Sequence, residues 1–532
     1  MKKLLLFSVL ALLSQSVFAQ DSLKYQVHLT PVKINGLPGL HSYAYAQHNG
    51  KWLIIGGRRD GLHPRQPFRS FPETQNNKDI YVVDVAQKKM WSASVSSLPT
   101  AIEEQLQSTN MNFHQLEDTL YIIGGYGYST TATDHITYPN LTTINVSGLI
   151  NAVINSQPIS SYIKQVSNNS FAVTGGHLSY LADTFYLVGG HRFDGRYNPM
   201  GNNTYTQTYT NQIRKFTINN ATTQPSFVEH TPITDAVHLR RRDYNLLPQV
   251  FPDRSEGFMI SSGVFQQNVD LPFLYPVDIT AKGHSPQTTF NQYLSNYHCA
   301  TTSLYDSVNN VMHMLFFGGI SQYYYENGSL VKDDNVPFVN TISSLSRGAN
   351  GVMKEYELPN RMPNLIGASA EFLLNEDIPH TKSDIIKLHT FNKDTILIGH
   401  ILGGISSTSR NPFVANQTEK TVADENIYEV RLIKGNATNI KPIKGSHEYK
   451  VDVYPNPADN YINITLSQEQ FTSAYYYLTN MGGQLLQHGE LTNRQGNSRF
   501  RVSFENKIEA QQIHLTVVID DKYFISKPVF IK

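Results

Sequence analysis

The stretch "LYIIGGYGYS", Leu120 to Ser129, runs apolar and aromatic residues into two glycines and then into two further tyrosines. Alignment on the double glycines gives six copies, one of them degenerate: "WLIIGG" at 52–57, "LYIIGG" at 120–125, "FYLVGG" at 185–190, "FMISSG" at 258–263, "MLFFGG" at 314–319 and "HILGG" at 400–404. The copies stand 56 to 85 residues apart, and repeats of this size are typical of propeller blades or similar arrays. The pattern predicts six repeated units.

The first unit indicates how each copy folds. Its segment "HSYAYAQHNGKWLIIGG" predicts a hairpin that turns at Asn49-Gly50, a strong two-residue turn signal. A long polar loop follows, and then strands are predicted at 79–85 and around 90–94. Glycines at the end of the second strand permit a close backbone approach and a sharp exit from the strand. Each unit is therefore expected to supply four strands.

The composition agrees with an all-β protein. The 532 residues include 31 Tyr, 26 Phe, 34 Gly and 25 Pro but only 16% charged residues, a balance that favours short strands and tight turns. Lysine plus arginine equals aspartate plus glutamate at 43 each, so no net field attracts nucleic acid. Cys299 is the only cysteine, and intramolecular disulfides are excluded.

The N-terminal residues 1–19 have the layout of a cleavable secretory signal peptide. Two lysines precede an apolar run from Leu4 to Leu13, and small residues end at Ala19. No later apolar stretch reaches the roughly 20 residues that a membrane helix needs. We therefore expect an exported protein without a transmembrane segment.

Residues of the first unit carry a family resemblance. An apolar strand ending in Gly-Gly, a loop, a strand with Tyr81 and Asp84, and then Trp91 together resemble the kelch repeat. The resemblance covers about 22–435 and implies a six-bladed kelch-type β-propeller. The N-terminal strand at 25–34 is expected to complete the last blade by pairing with a strand at about 426–432, because closure removes an open sheet edge.

The tail after a linker at 436–449 has a different pattern. Residues 450–532 alternate short strands and predict a small C-terminal β-sandwich. The motif Tyr454-Pro455-Asn456-Pro457, the turn with Gly482 and Gly483, and the terminal strand ending at Lys532 resemble the C-terminal sorting domain of the Bacteroidetes type IX secretion system. The Gly-x-Tyr that commonly opens the penultimate strand is absent. The resemblance implies that the partner is the type IX machinery and that the protein, after Sec export through the periplasm, is secreted or held on the outer cell surface.

Long loops follow the double glycines and would emerge on one face of a propeller. They span 58–78, 126–139, 191–211, 320–338 and 405–425, and connections of this length are often functional. Aromatic, arginine and aspartate side chains in them are suited to a glycan or an extracellular protein. The candidate ligand-binding residues are Arg58, Arg59, Asp60, His63, Tyr126, Tyr128, His191, Arg192, Asp194, Arg196, Tyr197 and Tyr324. The alternative is that the loops pack on one another, with arginines paired to neighbouring aspartates.

Three sequence motifs are considered as catalytic, metal-binding or anion-binding sites. "NYHCA" at 296–300 would suit a copper-radical oxidase, but Cys299 is predicted on a strand, where a free cysteine acts as a small hydrophobe. "GGH" at 175–177 and 189–191 supplies two histidines without a third ligand for zinc. "LRRRD" at 239–243 predicts a solvated or ion-paired strand segment or, alternatively, an anion-binding patch. No catalytic set, metal or cofactor is identified, and a glycan-active enzyme of the epimerase or oxidase type remains the alternative to a binding protein.

Overall fold

The computed structural model describes residues 22–201, 204–435, 442–467, 471–492 and 498–532. The predicted signal peptide at 1–19 lies outside these ranges. Within them the chain is all-β, with two α-helices, α1 (Thr100–Leu106) and α2 (Val146–Ile154). Short 3-10 turns occupy Glu73–Gln75, Val95–Ser97, Ser160–Tyr162, Asn169–Phe171, Leu388–Thr390 and Thr418–Lys420.

Six antiparallel sheets, each built around four strands, make up the body of the molecule. In each sheet, every strand is hydrogen-bonded to the strand named after it. Sheet 1 comprises Ala44–His48, Lys51–Ile55, Asp79–Asp84 and Lys89–Ser94. Sheet 2 comprises Asn112–Leu116, Thr119–Ile123, Asn140–Asn145 and Ile163–Ser167. Sheet 3 comprises His177–Leu181, Thr184–Val188, Gln212–Asn219 and Ser226–Thr234. Sheet 4 comprises Asn245–Val250, Glu256–Ser261, Val277–Thr280 and Gly283–Pro286. Sheet 5 comprises Ala300–Asp306, Val311–Phe317, Thr341–Arg347 and Met353–Arg361, with Ile385–Lys387 added in parallel to its first strand. Sheet 6 comprises Glu371–Leu374, Thr395–Leu402, Ile427–Lys434 and Tyr25–Val32.

Local sequence signals account for the strand pairing. The hairpin predicted at Asn49-Gly50 is confirmed: both residues have positive φ, and His48 pairs with Lys51 across the turn. The N-terminal strand completes sheet 6 as expected, with Tyr25 opposite Lys434 and Val32 opposite Ile427. The first and last parts of the body chain are thus held in one sheet.

The double glycines link each sheet to the next. In all six units the two residues after the second strand are left-handed, with φ between +52° and +100°, and in the degenerate copy these are Ser262 and Gly263. With this bend, the N–H of the second residue of each pair donates to a main-chain carbonyl that lies just before the first strand of the next sheet. The six bonds, at 2.8–3.2 Å, join Gly57 to Ser108, Gly125 to Val173, Gly190 to Arg241, Gly263 to Asn296, Gly319 to Ile366 and Gly404 to Leu40. The series returns to sheet 1 and forms a closed cycle.

A second backbone cycle runs through the residues just before the first strands. Its six bonds, also at 2.8–3.2 Å, run from the N–H of Asn110 to the O of Ser42, Gly175 to Asn110, Asp243 to Gly175, His298 to Asp243, Ser369 to His298, and Ser42 to Ser369. Each unit contributes one donor and one acceptor. The two cycles together connect all six sheets.

Apolar side chains fill the spaces between neighbouring sheets. One cluster joins residues of sheets 1 and 2 with helix α2, whose N-terminus is capped by Asn145 Oδ1 accepting from the Gly148 N–H at 2.9 Å. Further clusters join sheets 3 and 4, and sheets 5 and 6. Burial of these contacts, with no disulfide available, stabilises the body.

The "LRRRD" segment is a partly buried connection and not the predicted strand, although its predicted ion pairing is present. Arg241 is fully buried and donates to the carbonyls of His238, Ser262 and Tyr275 at 2.8–2.9 Å. Arg242 pairs with Asp243. Arg241 satisfies main-chain carbonyls of neighbouring segments, a role that depends on residues distant in the sequence and has no local signal.

The C-terminal region forms two sheets around a core of its own. One sheet comprises Val451–Tyr454, Tyr461–Leu466 and Arg499–Ser503, and the other comprises Leu485–Glu490, Ala474–Asn480, Gln512–Ile519 and Tyr523–Phe530. Apolar side chains from both sheets meet in one cluster. This is the arrangement expected of a small β-sandwich.

Candidate functional site

The long loops after the double glycines contact one another. Three of them form two-stranded ribbons, Tyr126–Ser129 with Asp134–Thr137, His191–Gly195 with Tyr205–Tyr209, and Tyr323–Glu326 with Ser329–Lys332. Loop 58–78 accepts a 2.9 Å bond at Ser70 O from Arg196, and loop 126–139 donates from Thr137 Oγ1 to Phe193 O at 2.7 Å. Loop 405–425 reaches loop 320–338 through Asn411 and Asp333 at 3.0 Å. These contacts match the alternative in which the loops pack on one another.

Three of these loops enclose a surface cavity of about 450 Å³, the rim cavity. It is lined by Phe68, Glu73, Tyr128, Asp134, His135, Arg196 and Thr204. Its volume lies within the roughly 300–1,000 Å³ range of small-ligand sites. The lining combines aromatic faces with carboxylates and a guanidinium, so it can stack against a ligand and exchange hydrogen bonds with it.

The cavity walls are held by contacts between loops. Arg196 is fixed by its Nε bond to Ser70 O, and His135 Nε2 lies 2.9 Å from Phe71 O. Burial, with the nearby Arg196 cation, lowers the pKa of His135 below its ordinary value, so its ring is neutral at pH 7. Phe68 projects into solvent with 59% of its surface exposed. An exposed ring beside fixed polar groups can stack against a ligand that these groups hydrogen-bond.

Arg58 and Asp60, predicted as ligand-binding residues, form an internal ion pair. Two N–H groups of Arg58 bond the two Asp60 oxygens at 2.8 and 2.6 Å, and a third bonds Asn76 Oδ1 at 2.9 Å. Arg58 is only 2% exposed. Although burial opposes ionisation, the nearby His41 ring and the hydrogen bonds from Arg58 lower the pKa of Asp60 to about 2. This pair matches the alternative in which the loops pack on one another.

His63, Tyr126 and Tyr197 belong to an aromatic cluster between the loops. The His63 ring lies 4.8–5.4 Å from the rings of Phe71, Tyr197 and Phe413, and burial lowers its pKa to about 4. The Tyr126 hydroxyl donates to Gly195 O at 2.9 Å. These residues hold neighbouring loops together beside the rim cavity.

The remaining predicted residues are distributed over the loop face. His191 Nδ1 lies 2.8 Å from Gln207 Nε2, and burial lowers its pKa well below the ordinary value. Arg192 pairs with Asp194 at 2.6 Å on the surface. Arg59 is exposed, and Tyr324 lies under the guanidinium of Arg410, 4.4 Å from the ring centroid. Of the twelve predicted residues, Tyr128 and Arg196 line the rim cavity.

A second, smaller cavity of about 60 Å³, the central cavity, lies at the second backbone cycle. His298 Nε2 is 3.2 Å from Glu371 Oε1, and the His177 ring stands 5.1 Å from that of His298. The pKa of His298 lies above its ordinary value. Burial alone would lower this pKa, but the Glu371 and Asp243 carboxylates favour the protonated ring and outweigh burial. Burial and the neighbouring His298 lower the pKa of His177 to about 3. The cavity has room for a few water molecules.

The structure gives Cys299 a packing role. It lies one residue before the first strand of sheet 5, a small shift from its predicted place on a strand. Its side chain packs against Gly319, where an added Cβ would lie 3.0 Å from the Cys299 Cβ. Burial raises the pKa of its thiol to about 12, so it is not a thiolate at pH 7. Within the described ranges, no group of three or more His, Cys, Asp or Glu side chains could hold a metal ion.

Several lining residues of both cavities were missed by sequence reasoning. Phe68, Glu73, Asp134, His135 and Thr204 lie in the predicted long loops, but only three-dimensional packing selects them from their neighbours. Glu371 stands at the start of the first strand of sheet 6. No local sequence signal marks it, because its partner His298 belongs to the preceding unit.

Comparison with known proteins identifies the tail. Residues 452–507 match the family described as the secretion system C-terminal sorting domain. No curated protein matches the chain significantly. The structure of YjhT aligns at 11% identity with a TM-score of 0.41, covering 76% of this chain and 99% of that one. The structure of a sucrose-6-phosphate hydrolase from Lactobacillus gasseri aligns at 9% identity with a TM-score of 0.31, covering 97% and 95%.

The sorting domain places this protein among those that the type IX secretion system exports. The protein is secreted or attached to the cell surface by this route. In the part of the chain that the structure describes, none of the helices has the length and apolar character required to cross a membrane.

Proposed function

We propose that residues 22–435 form a six-bladed kelch-type β-propeller that binds a glycan in the rim cavity outside the cell. The two closed cycles of backbone bonds support the propeller, because each cycle passes once through every sheet and returns to its start. The type IX sorting domain places the protein where extracellular glycans are met.

The composition of the rim cavity carries the glycan proposal. Sugar rings present apolar C–H faces and many hydroxyls, so their sites combine aromatic platforms with planar polar groups. Phe68 and Tyr128 supply the platforms, and Glu73, Asp134 and Arg196 supply acceptors and donors. A protein segment that uses the same groups is the other possible ligand.

Glycan-array binding by the full chain, followed by titration of the best ligand, tests this proposal. Phe68→Ala is expected to weaken binding about tenfold, which corresponds to about 1.4 kcal/mol of lost contact. Arg196→Ala is expected to have a similar effect, whereas its matched control Arg192→Ala, which alters an exposed ion pair outside the cavity lining, is expected to bind as the wild type does. Equal binding by all three variants would place the ligand elsewhere.

A glycan-active enzyme is the second candidate, and the His298–Glu371 pair is the observation that favours it. The pair could transfer a proton, and Asp243 lies beside it in the central cavity. The cavity volume of about 60 Å³ is well below that of a sugar site, so this candidate requires the cavity to widen when the sugar binds. Solvent deuterium incorporation into a bound sugar, lost in Glu371→Gln, would distinguish the enzyme from a binding protein.

A further inference from the structure

The sorting domain packs on the body through the outer face of its four-stranded sheet. Alternate residues on a strand point to opposite faces, and Tyr476 and Leu478 face the domain's own core while Tyr477 faces the body. Val518 and Phe524 join Tyr477 in a buried cluster with residues of sheets 3 and 4. This sheet is therefore covered on both faces.

Phe524 is the central apolar contact of this interface. It is 4% exposed, and its ring lies 5.8 Å from that of Phe273 and 4.8 Å from that of Tyr275, both in the body. Aromatic rings buried among aromatic partners are the usual energetic centres of protein interfaces. Phe530, on the same strand, is 48% exposed.

Polar contacts surround the aromatic centre. The Ala236 N–H donates to Gly483 O at 2.9 Å, and Gln266 Nε2 donates to Asp521 O at 2.7 Å. Lys522 Nζ stands 4.7 Å from the centroid of the Tyr293 ring. An apolar centre with a polar margin is the anatomy of a specific interface.

The close approach at Gly483 explains one residue of the predicted sorting motif. Gly483 has φ +76°, and a Cβ there would fall 1.7 Å from Thr234 O of the body. At Gly482 the nearest atom to such a Cβ is Asn480 Oδ1 of the same domain, at 3.3 Å. Only the second glycine of the pair is required by the contact with the body.

The segment before the sorting domain also lies along the body. Ile443 N–H donates to Glu355 O at 2.8 Å, and His447 N–H donates to Thr289 O at 3.0 Å. Between them, Asn291 N–H donates to Gly445 O at 2.9 Å. The whole described C-terminal region from residue 442 is thus attached to the body by non-covalent contacts.

We propose that these contacts hold the sorting domain on the body after the chain between them is cut. The partner of this surface is the protein's own C-terminal domain, and cleavage alone does not separate the two parts. Removal of the domain then requires a dissociation step, whose rate is set by the Phe524 and Gly483 contacts. The body surface around Phe273 and Tyr275 is uncovered only after that step.

A protease recognition sequence inserted after Gly435 of the full chain tests the proposal. After cleavage, the two wild-type fragments are expected to elute together from a size-exclusion column at micromolar concentration. Phe524→Ala and Gly483→Ala are each expected to weaken the association by at least about tenfold and to release the C-terminal fragment. The matched controls Phe530→Ala and Gly482→Ala are expected to behave as the wild type.

Two outcomes would overturn the proposal. One is immediate separation of the wild-type fragments, and the other is equal retention in all four variants. Circular dichroism of the uncut chains identifies a variant that fails to fold. If Phe524→Ala fails for this reason, the comparison of Gly483→Ala with Gly482→Ala decides, because neither position contributes a side chain to the domain core.

Discussion

Replacing Gly124 with alanine is expected to destabilise the body far more than the same change at Gly50. The two glycines have almost the same backbone conformation, with φ of +69° and +70°. At Gly50 a new Cβ meets no atom within 4 Å, whereas at Gly124 it would fall 1.8 Å from Val173 O. Comparison of Gly124→Ala with Gly50→Ala therefore distinguishes the free-energy cost of a left-handed alanine from the cost of disturbing the contact between two sheets.

The expected magnitudes follow from these contacts. A left-handed alanine costs about 1–2 kcal/mol at either site. Displacement of Val173 O also weakens its bonds from the Gly125 N–H at 3.2 Å and Asn112 Nδ2 at 2.8 Å, at about 1 kcal/mol each. The free energy of unfolding should therefore fall by about 3–4 kcal/mol in Gly124→Ala and about 1–2 kcal/mol in Gly50→Ala.

Urea unfolding followed by tryptophan fluorescence measures both values. The two tryptophans, Trp52 and Trp91, lie in sheet 1, so the signal reports the body and not the sorting domain. Equal losses in the two variants would show that the double glycines serve only to turn the chain. The close contact of Gly124 with the next sheet would then contribute nothing to stability.

Two further predictions concern buried charges. Arg241→Met should lower the free energy of unfolding by about 3 kcal/mol, because three buried carbonyls lose their donor; a change below about 1 kcal/mol in urea unfolding would contradict this role. Burial raises the pKa of Glu355 to about 8, despite bonds from the Tyr293 and Leu294 N–H groups, whereas the unfolded chain ionises near 4.5. The free energy of unfolding should therefore fall as pH rises from 4.5 to 8, by up to about 1.4 kcal/mol per pH unit. Glu355→Gln should remove this fall. If the free energy of unfolding depended on pH in the same way in the variant and the wild type, this role of Glu355 would be refuted.

The strand pattern of the body could be predicted because its signals are local. The Asn49-Gly50 turn needs two left-handed residues, and the glycine pairs mark the ends of the second strands in five units. The cycle through Ser42 and Ser369 could not be predicted, since its bonds are made by backbone groups and its six members are of five different residue types. Five of its six members are left-handed, but only Gly175 is a glycine. Repetition is therefore visible where a Cβ would also collide with a neighbouring sheet, as at the double glycines.

The candidate site was predictable at the level of the loops and not of the residues. Three of the five loops chosen by their length line the rim cavity, but charge pairing within a loop holds Arg58 and Asp60 to each other and away from it. Phe68, in contrast, lies in a polar stretch with no feature that separates it from Phe71, which is part of the aromatic cluster. The difference between the two rings arises from packing against other loops.

A crystal structure of the protein would measure the bond that closes the second cycle, between the Ser42 N–H and the Ser369 carbonyl. We predict an N–O distance near 3.2 Å, with loops 58–78, 126–139 and 191–211 together around the rim cavity. A gap of more than about 5 Å between these atoms, too wide for a hydrogen bond, would mean that the six sheets form an open array and not the proposed propeller.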